Sequence, residues 1–176
     1  QRVRDPTQRA FLPRQSDHKM SPVVVLVGVP GAGKTTVGQA IAAQLGVAFD
    51  DTDQMIERRA GRSVSDIFVQ SGEDAFRELE REVVADALAT HAGVLALGGG
   101  AVMDANSRAL LIEEPTVWLK VDTDTAVRRV GLNAPRPVLL GNVRGQLKAL
   151  TAEREPLYTE VATIQIDTSD REPGEI

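Results

Sequence analysis

The 176-residue chain contains no cysteine, which excludes disulfides, thiolate metal sites and cysteine nucleophiles and suits a cytosolic setting. It has no apolar run near the roughly 20 residues that cross a bilayer as a helix, so no membrane partner is expected. It has no basic excess: the formal net charge is −5, which argues against nucleic acid as a main partner. Aromatic residues make up only 3%. Two of the few, Phe68 and Phe76, lie at helical positions where they could wall a pocket or simply fill core. Internal repeats and low-complexity segments are missing too. What remains is an ordinary globular composition, 42% hydrophobic and 26% charged. The length suits one three-layer domain and leaves no room for a separate substrate domain.

The first nineteen residues stand apart. Five cations (Arg2, Arg4, Arg9, Arg14 and Lys19) oppose two carboxylates (Asp5 and Asp17), a net of +3 that leaves −8 for the rest. There is no apolar segment of signal-peptide type, and Met20-Ser21-Pro22 is placed like a natural start. Residues 1–19 are therefore expected to be a disordered extension or an added leader, and residues 20–176 a single domain.

What is present in that domain is a phosphate-binding pattern. Gly28-Val-Pro-Gly-Ala-Gly-Lys-Thr-Thr36 fits G-x-x-x-x-G-K-[ST] and directly follows the apolar run Val23-Val-Val-Leu-Val27. A strand feeding a glycine-rich turn that opens into a helix is the context this motif requires. The glycines let successive N–H groups turn inward, and the helix adds its positive N-terminal end. Gly31, Ala32, Gly33, Lys34, Thr35 and Thr36 are thus expected to cradle the phosphates of a nucleoside triphosphate. Lys34 would bridge β- and γ-phosphates and the Thr35 hydroxyl would ligate Mg²⁺.

Beyond this unit, helical and strand periodicities alternate. Helices are expected over 37–45, ended by Gly46, and over 52–60, capped by Thr52 and closed by Gly61. A short helix over 63–71 and a long one from Gly72 to about Thr90 follow. Further helices are expected over 106–112, over 123–130 with Thr123 as cap, and over 146–154, stopped by Pro156. Strands are expected at 47–49, 94–97, 116–121 and 162–166, with no clear closing helix afterwards. Residues 131–145, with two glycines and two prolines inside 131–142, read as a loop. Continuous apolar strands between helices imply a parallel sheet covered on both faces, an α/β fold with its sites at the strands' C-terminal ends.

The rest of the chain narrows the class of nucleotide protein. No N-K-x-D base-reading motif is present and no glutamine follows a D-x-x-G turn, which argues against a guanine-nucleotide switch. Where a motor ATPase carries an apolar run ending in Asp-Glu, the run Val94-Leu-Ala-Leu97 ends in Gly98-Gly99-Gly100. Three glycines leave room and N–H donors for a second ligand beside the γ-phosphate. Candidate groups for that ligand are Asp51 and Asp53 after the second strand, Arg77, and Arg154. Taken alone, Arg77 three residues before Glu80 reads equally as a surface ion pair, Arg154 as a helix-end cation, and Asp50, Asp51 and Asp53 as a solvated turn.

Together, Gly28-Val-Pro-Gly-Ala-Gly-Lys-Thr35, Asp51-Thr-Asp53, Phe76-Arg77-Glu-Leu-Glu80, Gly98-Gly-Gly100, Arg136-Pro137 and Arg154 resemble shikimate kinase, in order and at family-like spacing from about Val23 to Pro173. The resemblance implies a three-layer αβα P-loop kinase fold with a central parallel sheet and a mobile lid over about 131–145. It implies ATP and Mg²⁺ as cofactors, shikimate as the small-molecule acceptor, phosphorylation of its 3-hydroxyl, a cytoplasmic monomer and a place in aromatic amino acid biosynthesis. By the same resemblance, Asp53 meets the reacting hydroxyl and Asp51 reaches the metal through water. Arg77, Gly98, Gly99, Gly100 and Arg154 hold the acceptor, with Glu80 orienting Arg77. Arg136 is the lid cation at the transferring group, and Arg129 and Arg171 lie on the adenine side. Thr35 replaces the family's frequent serine and keeps the hydroxyl, and the lid is one residue shorter than in some relatives. Related kinases acting on gluconate or a nucleoside monophosphate, and a non-catalytic nucleotide sensor, are the competing readings.

Overall fold

In the computed structural model, described for residues 20–132 and 142–176, five parallel strands form one sheet. Residues 1–19, Arg136 and most of the expected lid lie outside the described residues. The strands are β1 (Val24–Val27), β2 (Phe49–Asp51), β3 (Val94–Ala96), β4 (Thr116–Lys120) and β5 (Ile164–Asp167), in the order β2-β3-β1-β4-β5. The first crossover runs from β1 out to β2, and the later ones lead from β3 to β4 and β5 on the other side. The loops after β1 and β3 therefore diverge from adjacent strands, which opens a crevice at their C-terminal ends. Register places Leu26 opposite Ala96 on one side and Val117 on the other.

Both faces of the central strands are apolar because both are covered. Val25, Val27, Leu95, Leu97 and Trp118 face a core shared with Val84, Ala87 and Leu88 of α3 (Val64–Thr90), Leu111 of α4 (Ala105–Ile112) and Tyr158 of α6 (Val143–Val161). The alternate residues Leu26, Val94 and Leu119 face the other way, onto Val37 and Ala42 of α1 (Lys34–Leu45). The remaining helices are α2 (Thr52–Ala60), packed on α3 through Ile56, Ile67, Phe76 and Val83, and α5 (Thr123–Leu132), packed on α6 through Ala126 and Leu147. Among the described residues no helix is long and apolar enough to cross a membrane.

Several boundaries differ from the expected ones, each for a local reason. Helix α1 begins at Lys34 instead of Val37, so the lysine and both threonines sit in its first turn. The cap of α2 is Asp51, whose carboxylate accepts from the Asp53 and Gln54 amides, because the Thr52 hydroxyl instead accepts from the Gly98 amide. Asp122 plays the same part for α5, accepting from the Thr125 amide and hydroxyl in place of the expected Thr123. Helices meet at Gly72 as expected, with φ 84° and ψ 170° inside the 64–90 segment. Pro156 does not stop its helix: α6 runs on to Val161, held past the proline by the burial of Tyr158 and Val161 against the core. After β5 the described chain closes with a single 3₁₀ turn, Pro173–Glu175.

Candidate active site

The loop between β1 and α1 is shaped by glycines that no other residue could replace without strain. Gly31 (φ 84°) and Gly33 (φ 91°) have left-handed backbones, and a Cβ on Gly31 would sit 2.8 Å from the Ala126 carbonyl oxygen. Gly33 caps α1 with no side chain in the role. The first intrahelical bond runs from Val37 to Gly33, so the amides of Thr35 and Thr36 lie ahead of it at the positive helix end. Lys34 folds over the loop, donating to the Gly28 carbonyl at 2.7 Å and the Val29 carbonyl at 3.1 Å. The Thr35 hydroxyl donates to the Asp51 carboxylate at 3.2 Å. The loop lines an open cleft of about 370 Å³ that also takes in Asp53, Gly98, Gly99, Arg129 and Arg171.

This half of the cleft is anchored from outside. Arg129 donates to the Gly31 carbonyl (3.2 Å) and to the Thr168 hydroxyl and carbonyl (3.1 and 2.8 Å). The fully buried Thr168 hydroxyl lies 2.8 Å from the Ala32 carbonyl and 3.1 Å from that of Lys120, tying the end of β5 to the glycine loop. The glycine cradle and the helix end fit a polyphosphate. Hard oxygen donors from Thr35 and Asp51 fit a magnesium ion that keeps water and phosphate oxygens as its other ligands.

The second half is built around residues 98–100, and each glycine admits a different charged side chain. A Cβ on Gly98 would lie 2.6 Å from Asp53 Oδ1 and 3.1 Å from Glu80 Oε2. One on Gly99 would lie 3.3 Å from Arg154 Nη1, and one on Gly100 only 2.5 Å from Arg77 Nη1. Bulk is absent here because side chains from α2, α3 and α6 close directly onto the backbone. The turn's carbonyls are all engaged: Gly98 by the Ala101 amide, Gly99 by the Tyr158 hydroxyl at 2.6 Å, Gly100 by the Met103 amide. The Gly98 amide goes to Thr52. The buried amides of Gly99 and Gly100 make no hydrogen bond among the described residues.

Charge in this half is balanced at short range. Arg77 Nη1 donates to Glu80 Oε1 at 2.6 Å, and its guanidinium lies 5.2 Å from the Phe76 ring centre. Arg77 and Glu80 are therefore not a surface pair: Glu80 is 4% exposed. Burial pushes the Glu80 carboxyl up to about 7, against the opposing pull of Arg77 and Arg154 and with Asp53 adding to the rise. The Nε atoms of Arg77 and Arg154 are buried without a hydrogen-bond partner. Arg77 Nε lies 3.6 Å from Glu73 Oε1, too far for a hydrogen bond, so among the described residues two guanidinium donors and two backbone amides keep hydrogen-bonding capacity, a set that suits a small carboxylate. Phe76 is core, 3% exposed and packed 4.5 Å from Phe68, with Arg77 at its edge.

The comparisons with known proteins agree with this geometry. A family model described as shikimate kinase matches residues 30–176. The chain belongs to the shikimate kinase family. The shikimate kinase of Thermobifida fusca is 58% identical over 154 residues, covering 88% of this chain and 90% of that one. A solved shikimate kinase from Acinetobacter baumannii, in complex with shikimate, superposes with a TM-score of 0.84 at 37% identity over 89% of both chains. A gluconokinase from Sinorhizobium meliloti shares the fold alone, with a TM-score of 0.57 at 20% identity.

Set against this shikimate kinase family fold, sequence reasoning had named most of the residues around the cleft. Three residues hold them in roles the sequence does not reveal: Thr52, expected as a helix cap, on the Gly98 amide, Thr168 on the Ala32 carbonyl and Tyr158 on the Gly99 carbonyl. Only Tyr158 left a signal, one helical turn beyond Arg154 and the chain's single tyrosine.

Proposed function

We propose that the chain transfers the γ-phosphoryl group of ATP to the 3-hydroxyl of shikimate, giving shikimate 3-phosphate and ADP for aromatic amino acid biosynthesis. The observation that carries this reading is the pair of arginines whose buried Nε atoms make no hydrogen bond among the described residues, set beside the Gly99 and Gly100 amides and Asp53, next to a phosphate-binding loop. A polyol acid offers a carboxylate to the first set and hydroxyls to the second.

In the proposed chemistry the acceptor hydroxyl oxygen forms a bond to the γ-phosphorus as the bond to the bridging oxygen of ADP breaks. Asp53 positions the hydroxyl and takes its proton. Phosphoryl transfer runs through a loose transition state, so placement and charge stabilisation matter more than basicity. Lys34 exchanges its loop carbonyls for phosphate oxygens, and the amides of Gly31, Ala32, Gly33, Thr35 and Thr36 hold the rest. Thr35, and Asp51 through water, would hold Mg²⁺, which would supply charge neutralisation. Arg77, Gly98, Gly99, Gly100 and Arg154 hold the acceptor, with Glu80 fixing Arg77. Arg129 and Arg171 border the adenine side. For Arg136 the reading rests on sequence: a guanidinium that stabilises charge on the transferring group, for which Arg136→Ala lowers kcat with little change in acceptor binding.

A cytoplasmic protein that contacts neither membrane nor nucleic acid completes the reading, in keeping with the absence of cysteine and a net charge of −5; its monomeric state rests on the family resemblance alone. The test is ADP release with Mg-ATP and shikimate, gluconate, AMP or no acceptor. Stimulation by shikimate alone is the expected result. Stimulation by gluconate or AMP would assign a related kinase, and release indifferent to every acceptor would leave a nucleotide sensor.

A further inference from the structure

The turn at residues 98–100 has a weakness built into it. Three successive glycines have no Cβ to restrict their backbone, so a peptide plane there can rotate at little steric cost. Because a trans peptide points its C=O and N–H in opposite directions, a flip of the 99–100 peptide would put a carbonyl where the Gly100 donor now stands. The Gly99 carbonyl oxygen would then repel the carboxylate that the Arg77 side is built to receive.

One side chain opposes this flip. The Tyr158 hydroxyl donates to the Gly99 carbonyl oxygen at 2.6 Å, holding the Gly100 N–H of the same peptide on the side away from α6. The phenol is buried, 1% exposed, and its ring packs 5.6 Å from Trp118, so it has little freedom to follow a rotating carbonyl. Burial pushes its pKa up to about 12 despite Arg154 nearby, so it remains an O–H donor across the working range. A flipped peptide would leave this buried hydroxyl without its acceptor, a loss that disfavours the flip. Arg154 lies one turn earlier on the same helix, against Gly99. Helix α6 therefore delivers a cation and the lock on an amide together.

We propose that Tyr158 is a positioning residue for acceptor binding, its hydroxyl locking the 99–100 peptide so that the Gly100 amide is presented to the acceptor. The proposal rests on the acceptor reading given above. It predicts a split that a purely structural tyrosine would not produce.

The experiment uses the full chain with Tyr158→Phe, which removes the hydroxyl and keeps the ring against Trp118. Rates are measured against shikimate at saturating Mg-ATP and against Mg-ATP at saturating shikimate, with shikimate binding followed by calorimetry. The expected result is a shikimate KM and Kd raised about 3- to 10-fold, with ATP KM and kcat changed by less than about twofold. Leu157→Ala, a half-buried packing residue next in the chain, serves as the comparison: it lowers the melting temperature and leaves the shikimate KM in place. An unchanged shikimate KM in Tyr158→Phe would overturn the proposal while leaving the acceptor reading intact. So would ATP and shikimate KM rising together, or Leu157→Ala matching the tyrosine variant. A wild-type protein with no shikimate-dependent turnover would remove the acceptor reading and the role of Tyr158 with it.

Discussion

The two halves of the cleft are built in opposite ways. The half proposed for the nucleotide is one continuous stretch, Gly28 to Thr36, in which left-handed glycines and a helix start shape the backbone and Lys34 and Thr35 add side-chain donors. The acceptor half gathers Asp53 from α2, Arg77 and Glu80 from α3, residues 98–100 after β3 and Arg154 from α6. There the groups proposed to bind are charged side chains, Glu80 and Arg154 buried and Asp53 and Arg77 half-buried, and the backbone leaves them room and offers the Gly99 and Gly100 amides. A polyphosphate with many equivalent oxygens can be met by a row of amides from one local turn. A small acid with a few oxygens in fixed positions needs donors from several directions, which only packing can bring together. The halves touch where a Cβ on Gly99 would come within 3.3 Å of the Gly28 carbonyl.

The largest expected effect breaks the nucleotide half alone. Lys34→Ala should cut kcat by about 100- to 1000-fold with the fold intact by circular dichroism; near-normal turnover would remove the phosphate-loop assignment. Next comes Arg77→Ala, which takes one of the two cations from the acceptor half. The loss in kcat/KM for shikimate should be about 2–4 kcal/mol with ATP KM little changed. Equal losses toward both substrates would make Arg77 structural and blur the division between halves.

Gly98→Ala tests whether space is what the acceptor turn provides. The added methyl would meet Asp53 Oδ1 at 2.6 Å and drive it aside, costing about 1–3 kcal/mol in shikimate kcat/KM. Retained activity would mean that Asp53 does not need its present place. Thr168→Val keeps shape but removes the hydroxyl between the Ala32 and Lys120 carbonyls and Arg129. ATP KM should rise about 3- to 10-fold while shikimate KM stays; the reverse pattern would contradict the anchoring of the nucleotide half by β5.

A separate effect, read in stability and not in turnover, is its pH dependence. Burial holds the Glu80 carboxyl at about 7 in the folded chain, above its ordinary 4.5. The folded state therefore binds more protons than the unfolded state between those values. The Glu80 contribution to stability is fully present below about pH 4.5 and is lost as pH rises through 7. Glu80→Gln should flatten the fall in urea midpoint over that window. Identical slopes in the two proteins would mean that the carboxyl ionises as freely folded as unfolded.

The ease of reading these halves follows from their construction. Gly28-Val-Pro-Gly-Ala-Gly-Lys-Thr35 is legible because its chemistry is local: glycine positions, a preceding apolar run and a helix start are all in adjacent residues. The α/β alternation is legible for the same reason, and the five parallel strands fall close to the expected segments. The failures are competitions that adjacent residues cannot reveal. Thr52 would cap α2 if the Gly98 amide, 46 residues away, did not claim its hydroxyl. Pro156 would end α6 if burial of Tyr158 and Val161 did not carry the helix through it.

A nucleotide-binding α/β chain and, through a set of spaced motifs, its family can be read from the residues in order, because turn chemistry and periodicity are properties of short segments. Packing alone establishes that Glu80 is buried against the Arg77 guanidinium and that Thr52, Tyr158 and Thr168 each satisfy a backbone group of a loop at the cleft. It also decided that the glycines at 98, 99 and 100 are needed for three different neighbours. Burial and hydrogen-bond partnership are relations between distant residues, and those relations exist only once the chain has packed.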